Sequence, residues 1–208
     1  MSFEHAGQHV RVLALAGVLL SAAACSDSAT TVTTAAPSDQ PAAARVEWAG
    51  DPELAKLIAQ IRAATEQYHD VDVSFAAGYR PSRAGCESSA EGAMGIHYGH
   101  PGLLGLVIGS VPTRGTDPVI DPLRPEILMY EPQADGSRRL VGIEFVVYRA
   151  AWDAVHHEPP TLLGIPFDQR FGINAHGHAD HYELHLWLWR HNPLGMFAPW
   201  NPKVSCSL

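Results

Sequence analysis

Four histidines fall within ten residues, from His176 to His185, in the run HGHADHYELH. Imidazole is a common metal ligand and the side chain whose charge changes nearest neutral pH, so such a run points to metal or acid–base chemistry. Its second half alternates. Tyr182, Leu184, Leu186 and Leu188 fall on one face, and His181, Glu183, His185, Trp187 and Trp189 on the other. The alternation predicts a strand over His181–Arg190 with its leucines in the core. On a strand, positions two apart are separated by about 6.8 Å and positions four apart by about 13.6 Å. With metal–nitrogen bonds of about 2.1 Å, Glu183 and His185 can then meet one ion, whereas His181 and His185 cannot. Were the segment helical, His181 and His185 would lie one turn apart and could chelate together.

Two further strands can bring ligands to the same face. In Met94–Tyr98, Ile96 and Tyr98 read as core residues, which turns His97 the other way. Arg139–Arg149 (RLVGIEFVVYR) has Ile143, Phe145 and Val147 on its apolar side and leaves Glu144 opposite. A carboxylate among such neighbours is costly to bury without a partner. Pleat parity therefore predicts a cluster of His97, Glu144 and His185, with Glu183 or His181 as an extra ligand or a group behind the ligands. Two imidazoles and one carboxylate with open positions suit a transition-metal ion: Zn, Cu, Mn or Fe. The same residues can also form a hydrogen-bonded network without an ion. His176 and His178 read as a glycine-rich loop, His156-His157 as a surface turn, and Trp187 with Trp189 as core filling or a stacking surface.

The elements that must position these groups follow from local signals. Asp51-Pro52-Glu53 is a helix start, with a capping Asp, Pro in the first turn and an acid at the positive end. Leu54, Leu57, Ile58 and Ile61 keep helical spacing, predicting an amphipathic helix over 53–68, with a second short one over Val73–Ala77. Residues 81–92 read as loop. Glu126–Glu131 (EILMYE) is a strand, and Asp135-Gly136 is the turn joining it to the strand of Glu144. Gly and Pro fill 99–125 and 158–172. Helices followed by strands predict an α+β fold, an N-terminal helix or helices packed on a small antiparallel sheet or partly closed barrel.

The chain has 208 residues, room for one domain, and 46% hydrophobic residues, enough for a core. Its net charge of −8, without a Lys/Arg cluster, argues against nucleic acid. Val10–Leu20 is an apolar run after few charges, followed by Ser21-Ala22-Ala23-Ala24 and Cys25, which reads as a signal peptide over 1–24. Small residues leading into a cysteine resemble the bacterial lipobox, implying lipidation at Cys25 and contact with the membrane through that lipid alone. A plain secretory signal cut near Ala24 is the alternative. Residues 25–44, with no aromatic side chain, read as the lipidated Cys and a disordered tether. The remainder, 45–208, reads as a single globular domain anchored outside the cytoplasm.

Setting Cys25 aside leaves Cys86 and Cys206, an even pair that predicts a disulfide in an oxidising compartment. There is no phosphate-binding Gly-Lys-Ser/Thr, no G-x-S-x-G and no H-E-x-x-H. Met94-Gly95-Ile96-His97-Tyr98, Leu140-Val141-Gly142-Ile143-Glu144, His181–Trp189 and Trp200–Cys206 resemble a family of exported bacterial proteins and lipoproteins carrying MGxHY, LVGxE, HYxLHxWLW and WNPxVSC motifs. The resemblance spans most of 54–206. It supports the domain limits and implies no activity. The expectation is an exported, lipid-anchored protein that binds a transition-metal ion, with metal-dependent catalysis on a small molecule left open. The rival is a metal-free envelope binding module using a Trp-lined contact surface.

Overall fold

A helix opens the structure where the capping signal stands. The computed structural model describes residues 51–162, 164–173 and 177–207. The predicted signal peptide, Cys25, the tether and His176 lie outside them. Asp51 accepts hydrogen bonds from the backbone N–H groups of Glu53 and Leu54 and starts α1 (Pro52–Thr65). Leu54, Ile58 and Ile61 on its inner side are buried in the same apolar cluster as the inner residues of the sheet. The chain tightens into a 3₁₀ turn (Glu66–His69) before α2 (Val71–Ala76). The sequence expectation of one helix to 68 thus overran, because the last turn narrows rather than continuing in α geometry.

Eight strands follow: β1 (Arg80–Ser89), β2 (Gly92–Gly99), β3 (Ile127–Pro132), β4 (Arg138–Tyr148), β5 (Thr161–Leu162), β6 (Ile165–Pro166), β7 (Asp168–Arg170) and β8 (His181–Leu186). A four-residue helix, α3 (Arg149–Trp152), follows β4. Six of the strands form one antiparallel sheet in the order β1-β2-β3-β4-β8-β7, curled into a half-barrel, while β5 and β6 pair separately. The β3–β4 hairpin turns at Asp135-Gly136 as the sequence predicts, with Gly136 at φ +83°, where a glycine carries no Cβ penalty. The architecture is α+β.

The two sheet faces differ in what they bury. One carries Tyr98, Leu128, Tyr130, Ile143, Phe145, Leu184 and Leu186, in a single large core that includes the α1 residues. The other carries two smaller apolar groups. Met129, Val141 and Trp187 sit with Val204 of the C-terminal segment; Ile127, Val146 and Tyr148 sit with Leu104 of the loop after β2.

Three expectations are corrected. Residues 81–92 are not loop, since β1 runs through Ser89. It has no apolar alternation because most of its residues are exposed or half-buried at the sheet edge. The Gly/Pro-rich stretch 158–172 contains β5, β6 and β7, strands too short to show a period. The strand expected over His181–Arg190 stops at Leu186. There β4 has a register shift: Met129 pairs with Gly142 but Tyr130 with Leu140, leaving Val141 as the extra residue, whose carbonyl accepts from the Trp189 N–H. An inserted residue breaks the two-residue alternation of faces.

Candidate metal centre

Glu144 and His185 are direct cross-strand partners on β4 and β8, so their side chains share a face. His97 lies on β2, opposite Met129 of β3, which in turn faces Gly142 two residues before Glu144. One intervening strand puts β2 and β4 about 9.5 Å apart. The curl of the sheet and two long side chains close that gap. His97 Nε2 ends 3.3 Å from Glu144 Oε2, and His185 Nε2 ends 3.8 Å from Glu144 Oε1. Gly142 is needed beneath them, since a Cβ there would lie 2.7 Å from both the Leu186 carbonyl oxygen and the Met129 methyl carbon. One donor atom from each of His97, Glu144 and His185 lies within 4.8 Å of the others, and all three residues are buried. This is the convergence that strand parity predicted.

The hydrogen bonds around these donors indicate what belongs between them. Glu87 Oε1 lies 2.5 Å from His97 Nδ1. That close contact sets the Glu87 carboxylate behind the ring while Nε2 faces the Glu144 carboxyl, the layout of a carboxylate–histidine–metal relay. His185 is more telling. It is 1% exposed, and neither of its ring nitrogens has a hydrogen-bond partner among the described residues. A buried polar atom left unpaired costs about 1–3 kcal/mol, so two on one ring need an explanation. A cation between Nε2 and the Glu144 carboxylate supplies one. In tetrahedral coordination with bonds near 2.05 Å, donors stand about 3.3 Å apart, as His97 Nε2 and Glu144 Oε2 do, while the three donors as a set lie within 4.8 Å of one another.

Burial pushes the His185 imidazole down to about 4, with the charges of His97 and Arg170 acting the same way and Glu183 opposing. The ring is therefore neutral at pH 7, the form that coordinates. Glu144 is driven well above the usual carboxylate range, first by burial and then by the negative charges of Glu183 and Glu87. A bound cation would reverse that penalty, as an ion is the largest local charge in such a site.

Behind the donors lies a layer of ionic partners. Burial works against the charge on Glu183. The hydrogen bond from His181 and the positive charge of Arg170 outweigh it and hold Glu183 below the usual range. Arg170 Nε donates to Glu183 Oε1 at 2.7 Å, and His181 Nε2 lies 3.1 Å from Glu183 Oε2. The other nitrogen of His181 faces the Ala179 carbonyl at 2.8 Å, so both of its nitrogens are engaged with acceptors. His181 is therefore not an available ligand. Glu183 Oε1 is 3.9 Å from His185 Nδ1, which makes Glu183 the group behind that ligand rather than part of the converging set. Asp168, pushed up to about 7 by burial against the pull of Arg170, completes the layer.

Glu87, Asp168 and Arg170 were missed by sequence reasoning. Asp168 and Arg170 sit on a three-residue strand that no periodicity could show. Glu87 had one usable signal: it follows Cys86, which the predicted bridge fixes. That bridge is present, joining Cys86 to Cys206 with Cα atoms 5.6 Å apart.

His97 and Glu144 line a cavity of about 610 Å³, so an ion held by them has one side turned to open space. Coordination positions left free are the mark of a reactive rather than a purely structural centre. No family model, curated protein or solved structure matches the chain. Local geometry alone must carry the reading.

The remaining candidates do not join the site. His100 accepts from the Leu103 N–H and faces the Ala77 carbonyl with its other nitrogen, fastening the loop after β2 to the end of α2. His178 Nδ1 is 2.7 Å from the Tyr148 hydroxyl, at the cavity wall. His156 stacks on Trp152 at the surface. The tryptophans do not form the expected shared face. Trp187 is 2% exposed and donates to the Ala198 carbonyl, while Trp189 turns to the large core beside His69 and Arg62. The displaced register at Val141 is the physical reason for the split.

Proposed function

We propose that this chain is an exported, lipid-anchored protein whose globular domain binds one transition-metal ion through His97, Glu144 and His185. The observation that carries the metal reading is His185, fully buried with both ring nitrogens unpartnered and Nε2 facing a buried carboxylate. A metal-free network would satisfy those nitrogens. The ion would supply Lewis acidity or an activated water, and the adjoining cavity supports metal-dependent chemistry on a small molecule. His97 is oriented by Glu87, and His185 is backed by Glu183. Arg170 keeps Glu183 charged.

Export and anchoring rest on the apolar run before Cys25. They are supported by the disulfide, which persists in oxidising compartments. Among the described residues, no helix is long and apolar enough to cross a membrane.

Elemental analysis of protein purified without a histidine tag tests the metal reading. One equivalent of Zn, Cu, Mn or Fe is expected, lost in His97→Ala and His185→Ala and kept in His156→Ala. Protein that takes up no ion from any of the four would refute it. Labelling with radioactive palmitate, abolished by Cys25→Ala, tests the anchor.

A further inference from the structure

The cavity beside the donors mixes two kinds of lining, and together they specify a class of ligand. His97 and Glu144 are polar, and apolar Leu104, Leu106, Ile127 and Val146 line it with them, Ile127 being the cross-strand partner of Glu144. Its volume, about 610 Å³, is in the range of small-molecule sites, which run about 300–1,000 Å³. At the edge, β1 changes register. Pro81 pairs with Tyr98 and Cys86 with Ile96, so residues 82–85 bulge out opposite His97. Bulges re-aim side chains near sites, and here Ser82, Arg83 and Ala84 join the cavity lining.

Arg83 differs from the other arginines there. Arg170 is paired with Glu183, and Arg80 donates to the Phe75 and Tyr79 carbonyls. Arg83 makes no hydrogen bond or ion pair with any described residue. A guanidinium presents a planar fork matched to a carboxylate. The same lining already holds Glu87, Glu144 and Glu183, which would repel a dianion more than a monoanion.

We propose that the cavity takes a small monocarboxylate with an apolar body, its carboxylate paired with Arg83 and its body lying along the Leu104–Val146 wall toward His97 and Glu144. The proposal deepens the metal reading by naming the ligand class of the same cavity, but the Arg83 contact itself needs no ion.

The test is calorimetric titration of straight-chain carboxylates, acetate to octanoate, into zinc-loaded protein and into EDTA-treated protein. Octanol, octylamine and octyl phosphate serve as matched controls. Affinity is expected to rise with chain length, and octanoate should bind at least tenfold more tightly than any of the three controls. Arg83→Ala should weaken octanoate tenfold or more with zinc content unchanged, and Arg83→Lys should recover part of the loss. Octyl phosphate or octylamine binding as well as octanoate would overturn the proposal, as would equal affinity in Arg83→Ala. So would zinc-loaded protein that binds no carboxylate, a result that leaves the metal reading standing. If zinc itself fails to bind, the EDTA-treated series with its Arg83 dependence still decides this proposal, and the metal reading is left to the other three ions.

Discussion

The two faces of the sheet bury their side chains on opposite terms, and Leu184 and His185 show it one residue apart. Leu184 joins the large apolar core with Phe145 and Leu186. His185 is as deeply buried but sits among Glu144, Glu183 and His97. One face is filled by apolar side chains; the other brings together three side chains that could hold a metal ion. Burial, taken alone, therefore says little about whether a residue stabilises this fold.

Truncation on the complete face should have the largest effect. Leu184→Ala is expected to cost about 2–5 kcal/mol in urea denaturation, with zinc bound per folded molecule unchanged. Its neighbour should respond with the opposite sign. His185→Leu, assayed without metal, replaces a neutral buried ring that lacks hydrogen bonds with an apolar side chain and is expected to be neutral or to stabilise by about 1–3 kcal/mol. The same variant should lose the gain of about 2.7 kcal/mol that wild type shows with metal at a hundred times its Kd. If His185→Leu instead destabilises metal-free protein as much as Leu184→Ala does, the contrast between the faces collapses.

Two smaller effects sharpen the comparison. Glu87→Gln keeps the shape of the group behind His97 but weakens its hold on Nδ1. A 10–100-fold loss of metal affinity is expected by competition with a chelator, without a change in stoichiometry. Glu126, at the edge of the site face, is pushed up to about 8, mainly by burial, with the Val146 N–H bond acting against the shift. In the unfolded chain the same carboxyl titrates near its ordinary value of 4.5. Between those values the folded state holds a proton that the unfolded state has released, so its contribution is full below about 4.5 and declines as pH rises toward about 8. From pH 6 to pH 7 the loss should be about 1 kcal/mol, removed in Glu126→Gln.

What the sequence made legible was parity. His97, Glu144 and His185 each stand between core residues on strongly alternating strands, so their common face could be read without coordinates. The hairpin at Asp135-Gly136, the cap at Asp51 and the Cys86–Cys206 pairing were equally readable, since each is a local or arithmetic signal. Trp189 was misplaced because the extra residue that reverses its face, Val141, lies on another strand. β1 was invisible because an edge strand held by pairing and a disulfide needs no apolar alternation. The roles of Arg170 and Asp168 exist only through tertiary contact with Glu183.

The Cys86–Cys206 bond adds one consequence. Cys86 and Glu87 are consecutive, so the link that fastens the C-terminal segment to the sheet edge also stations the acid behind His97. Cutting that link slackens the acid's anchorage, and the grip of His97 on a cation becomes a gauge of the thiol state next door.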